Sequence, residues 1–120
     1  MIKKALLIVD HGSRKKAAND MIFDVVDRLR IVRPDLIIEG AHMELEKPDI
    51  QMGIEGCIDQ GATDITIQPF MLSPGRHSTQ DIPDLVEKAM CAYPDVLYQT
   101  KPHFGMHLLI SSIIFDHAGL

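Results

Sequence analysis

Two histidines in this chain stand where chemistry is expected. His11 follows the apolar run at 5–9 and leads into Gly12-Ser13-Arg14, while His77 ends the stretch Leu72-Ser73-Pro74-Gly75-Arg76-His77, which follows the apolar run at 65–69. Neutral imidazole suits borderline divalent ions such as Co2+, Ni2+ or Fe2+, and it accepts a proton near neutral pH. Structural zinc takes four protein ligands, so a two-histidine set fits an ion that is captured and handed on. Pro74-Gly75 sets a turn in which backbone approaches a ligand closely, and it offers Arg76 and His77 side by side. Arg76 is the candidate for gripping a carboxylate or phosphate. Arg14, Lys15, Lys16 and Lys47 lie near the same rim, Lys15 and Lys16 reading as solvated charge. Glu44 and Glu46 follow the second strand and would accept protons or attract a cation. His107, near the start of the last helix, is a further candidate for lining the pocket; His42, His103 and His117 have no comparable context.

Both histidines serve one site only if the elements before them end at one edge. Continuous apolar or β-branched runs at 5–9, 36–43, 63–70 and 95–100 read as strands. Apolar residues recurring every three or four positions at 14–32, 49–60, 81–93 and 106–117 read as helices, closed by Pro34, Gly61 and Pro94. Asp81 is the expected N-cap of the third helix, with Pro83 in its first turn. The order βαβαβαβα implies an α/β fold of the flavodoxin-like, three-layer αβα kind, with a four-stranded parallel sheet in the order 2-1-3-4. In that order the chain reverses direction between strands one and three. The crevice at such a switch point opens between the His11 loop and the His77 loop.

Composition narrows the class. The 120 residues, 46% of them hydrophobic, suffice for one domain. A net charge of −5 disfavours a nucleic-acid or anionic-membrane surface. Cys57 and Cys91 are far apart and form no CxxC pair, which fits a reduced, cytoplasmic chain without a zinc knuckle. No apolar run reaches the ~20 residues of a membrane span. The last helix is nearly all apolar, and a second copy of the chain would bury it.

The segments Asp10-His11-Gly12-Ser13-Arg14, Glu44-Leu45-Glu46-Lys47-Pro48 and Pro69-Phe70-Met71-Leu72-Ser73-Pro74-Gly75-Arg76-His77-Ser78-Thr79-Gln80-Asp81-Ile82-Pro83 resemble, in order and spacing, the sirohydrochlorin chelatases of the CbiX type in their short, single-domain form. The third segment, a hydrophobic strand followed by G-x-H-x-x-x-D-I-P, is the most specific. The resemblance implies insertion of Co2+, or of Ni2+ or Fe2+ in some members, into sirohydrochlorin, an octacarboxylate tetrapyrrole, without ATP and without a permanently bound cofactor. It implies a symmetric homodimer, His11 as metal ligand and base, His77 as second ligand, residues 72–77 against the macrocycle, and Lys47 in contact with substrate. Asp10 stands where the family usually has glycine, close enough to crowd the loop or to act on His11 by its charge, and Lys47 stands where relatives often carry glutamate. A carrier of metal or tetrapyrrole on the same fold is the alternative, and a histidine phosphatase a further one, since Asp10-His11-Gly12 resembles its Arg-His-Gly motif.

Overall fold

A computed structural model describes the whole chain, Met1–Leu120. Its elements run β1 (Lys4–Asp10), α1 (Lys16–Val32), β2 (Ile37–His42), α2 (Ile50–Asp59), β3 (Asp64–Pro69), α3 (Ser78–Met90), β4 (Leu97–Thr100) and α4 (Leu109–Ala118). The strands form one sheet in the order β2-β1-β3-β4, every pair parallel, as the alternation of patterns predicts.

The two-residue period of the strands divides the core. Ala5, Leu7 and Val9 of β1, with Ile65 and Ile67 of β3, pack against Ile54 and Cys57 of α2 and Ile82 and Val86 of α3. Ile8 of β1 and Ile38 of β2 face the other way, against Ile22 and Val26 of α1. Gly40, which weakens β2 as a strand, is what seats α1. A Cβ there would lie 3.1 Å from Val26 Cγ2 and 3.2 Å from Phe23 Cε1, so the helix approaches the sheet only over a bare backbone.

Several boundaries differ from the sequence expectation. Helix α1 starts at Lys16 rather than residue 14, because buried Asn19 draws the preceding loop to itself: the Ser13 N–H donates to Asn19 Oδ1 (2.8 Å), and Asn19 Nδ2 donates to the Ser13 carbonyl (2.6 Å). Helix α3 starts at Ser78 with His77 in the N-cap position, so Asp81 is not the cap but lies within the first turn. Pro83 then falls inside the helix rather than in its first turn, and without an N–H it leaves the Thr79 carbonyl without that intrahelical bond. Strand β4 is a short edge strand with Leu97 70% exposed. Helix α4 starts at Leu109 instead of residue 106 and buries none of its residues. On α1's side of the sheet, β3 and β4 present Thr66, Gln68 and Gln99 together with the exposed Leu97, and no helix covers Leu97.

Candidate functional site

The backbone pairing beyond the strand ends builds the site. Past β1, the Met43 N–H donates to the Asp10 carbonyl (2.9 Å) and the Glu44 N–H to the His11 carbonyl (3.2 Å), so the His11 loop is zipped to the loop after β2. Past β3, the Phe104 N–H donates to the Met71 carbonyl (2.8 Å) and the Gly105 N–H to the Leu72 carbonyl (3.0 Å), while the rings of Phe70 and Phe104 meet edge to face at 5.3 Å. The bond from the Phe70 N–H to the Val9 carbonyl (2.6 Å) joins β1 and β3 just before these loops turn to opposite neighbours. Two walls therefore part at the switch point. His11 stands on one and residues 72–77 on the other, with both imidazoles exposed.

A cleft of about 260 Å3 runs from Met43 and Glu44 on the first wall to Asp81, Asp84 and Leu85 of α3 on the second. Glu44 thus joins Asp81 and Asp84 in one acidic cleft, an association that sequence spacing hides because the carboxylates come from separate elements. No three His, Cys, Asp or Glu side chains of one copy gather closely enough to hold an ion.

Of the predicted residues only Glu44 lines this cleft; His11, His77 and the others do not. Leu72, Ser73, Pro74, Arg76, Arg14 and Lys47 are exposed, and Gly75 is half-buried. A Cβ on Gly75 would lie 2.3 Å from Ser78 Oγ, so glycine is what allows the loop to settle on the start of α3. Lys16 is bound to Asp20 (2.6 Å) on α1, as expected of a solvated charge. His107 lines neither cleft nor cavity; its Nδ1 accepts the Leu109 N–H (3.1 Å) at the start of α4.

Sequence reasoning missed the role of His42. It is fully buried at the end of β2, directly opposite Asp10 in the parallel register, and its Nδ1 lies 2.6 Å from Asp10 Oδ1. Phe23 packs edge-on against the ring at 5.6 Å, and Nε2 has no partner. Asp10 is therefore engaged by His42 and does not crowd the His11 loop. The signal was available: both residues end adjacent strands on the same face.

A second cavity, of about 310 Å3, lies on the far side of the start of α3, between it and the loop after β4. Ser73, Pro74, Ser78, Thr79, Lys101 and His103 are among its walls. Lys101 escaped the sequence reading, although it occupies the same carboxyl-edge position after β4 that singled out His11 after β1. Neither cysteine lines the site: Cys57 is a buried thiol pushed up to about 12 by loss of solvent, and Cys91 is exposed and free.

Comparison with known proteins gives one consistent answer. The sequence model of the family described as CbiX matches residues 5–118. The chain is 36% identical over 111 residues to the chloroplastic sirohydrochlorin ferrochelatase of Arabidopsis thaliana, covering 92% of this chain and 49% of that protein. It is 32% identical over 108 residues to the sirohydrochlorin cobaltochelatase of Priestia megaterium, covering 87% of this chain and 34% of that protein. Among solved structures, the sirohydrochlorin chelatase SirB of Bacillus subtilis subspecies spizizenii in complex with cobalt superposes with a TM-score of 0.89 at 28% identity, over 98% of this chain and 50% of that one. The chain thus spans half or less of the length of these relatives.

Proposed function

Since the chain belongs to the CbiX family, we propose that it is a single chelatase domain that inserts a divalent metal into sirohydrochlorin, with Co2+ as the first candidate ion and Ni2+ or Fe2+ as the others. What supports this reading is that the loops after β1 and β3, which carry His11 and His77, turn to opposite neighbours at the switch point.

Metallation replaces two pyrrole N–H protons by a dication, so the site needs ligands that release the ion and a base that works near neutral pH. Imidazole meets both needs. One lone pair cannot hold metal and accept a proton at once, so the tasks are sequential or divided between His11 and His77. Met71 and Leu72 offer an apolar seat for the macrocycle, and Arg76 and Arg14, both exposed, reach for its peripheral carboxylates. Lys47 stands at the opposite wall. The apolar surface of α4 supports a homodimer.

Anaerobic incubation of the protein with sirohydrochlorin and Co2+, Ni2+ or Fe2+ in turn tests the reading by the absorption change of metallation. His11→Ala and His77→Ala are expected to lower the rate by at least ~100-fold, the scale of a lost general base, without loss of folded structure. Tight pigment binding with no metal-dependent turnover would instead make the protein a carrier.

A further inference from the structure

Left-handed backbone strains any residue that carries a Cβ, and the chain respects this with one exception. Gly12, Gly61, Gly105 and Gly119 take up the other positions of positive φ, whereas Leu45 keeps a branched, bulky side chain at φ 73°. The turn accounts for the backbone. The Glu44 N–H is bonded to the His11 carbonyl and the His42 N–H to the Pro48 carbonyl, so the chain has to double back within residues 45–47. It does not account for the side chain, because glycine would make the same turn without strain.

Nor does the core account for it. Leu45 packs in neither hydrophobic cluster and is 57% exposed, between the charged Glu44 and Glu46. An apolar side chain held in a strained conformation and left in water is not explained by folding, and strain of this kind is concentrated at ligand clamps and active sites. Its place in the fold fits such a role. Leu45 follows directly on the residue whose amide holds the His11 loop, and so stands on the first wall of the crevice. Leu72, 64% exposed, lies in the loop that leads to His77 on the second. Each wall thus carries one exposed leucine close in the chain to its histidine-bearing loop.

We infer that Leu45 is a substrate-contacting residue that sets affinity for the pigment: its side chain is covered by the flat apolar ring of sirohydrochlorin when the ring lies across the crevice, with Leu72 meeting the ring from the other wall. The identity of the ligand rests on the chelatase reading. Glu44 and Glu46 on either side of Leu45 repel the carboxylate arms, which leaves the ring as the part of the pigment that this turn accepts. Binding then supplies the burial that folding withholds, and the strained turn holds the leucine in place before the pigment arrives.

Binding of metal-free sirohydrochlorin, followed by its absorbance, together with urea unfolding tests this. Leu45→Ala is expected to raise Kd about five-fold, the scale of one partly buried leucine side chain, and Leu45→Met, which keeps volume and apolarity, to hold Kd within about two-fold of the parent. Leu45→Gly separates binding from folding. Its Kd is expected to rise at least as far as that of Leu45→Ala, while its urea midpoint equals or exceeds the parent's because the strain is relieved. If pigment still binds and Kd is unchanged in Leu45→Ala and Leu45→Gly, the contact is overturned and the chelatase reading stands. A lower urea midpoint in Leu45→Gly with unchanged Kd would likewise overturn it, by showing that the side chain serves the fold. No pigment binding by the unaltered protein would overturn the chelatase reading, and the contact with it.

Discussion

The Asp10–His42 pair sets the tautomer of a buried ring. A carboxylate oxygen 2.6 Å from Nδ1 accepts the proton carried there, which in the neutral ring leaves Nε2 as an unpaired acceptor inside the core. An orphaned acceptor beside Phe23 is tolerable; losing the Asp10 carboxylate would orphan the Nδ1–H donor too. Asp10→Ala is therefore expected to cost about 1–3 kcal/mol of stability, and Asp10→Asn less, because an amide oxygen still accepts from Nδ1. Urea unfolding of the two variants measures this, and an Asp10→Ala midpoint equal to that of the parent would show that the pair contributes nothing. His11, one residue away but exposed, is in a different position: replacing it is expected to leave stability within ~0.5 kcal/mol.

Loop pairing beyond the strand ends, rather than the strands themselves, holds the first wall. Gly12 has φ 88°, and a Cβ at this position would lie 1.8 Å from the Glu44 carbonyl oxygen, so the loops after β1 and β2 close on each other only over glycine. Gly12→Ala combines a disfavoured backbone conformation with a backbone clash that no side-chain rotation relieves. We expect it to break the bond from the Glu44 N–H to the His11 carbonyl, to lower metallation by at least ten-fold, and to speed amide exchange at Met43 and Glu44. Unaltered exchange there would mean that the wall is held by something else. Asn19 performs the same service from the α1 side through its two bonds to Ser13.

Taken whole, the molecule has one element with no place in its own core. Helix α4 leaves Leu109, Ile113, Ile114 and Phe115 at 63%, 53%, 57% and 55% exposure, a concentration of apolar surface that water disfavours. A second copy of the chain is the expected cover, so sedimentation at micromolar concentration should give a dimer and Phe115→Asp a monomer. A monomeric parent would remove the homodimer from the functional reading. No helix is long and apolar enough to cross a membrane.

The amino-acid sequence by itself determined the order of strands and helices, the parallel sheet and the switch point that sends the His11 and His77 loops apart. These follow from periodicity, turn residues and the handedness of crossovers, which act over a few residues at a time. Tertiary structure alone decided that His42 holds Asp10, that Glu44 shares a cleft with Asp81 and Asp84, that α3 begins at Ser78 with its first amides free, and that α4 lies off the sheet. Each of these depends on which side chain another element brings within 3 or 4 Å. Such partners are separated by tens of residues in the chain, and only the register of the packed elements brings them together.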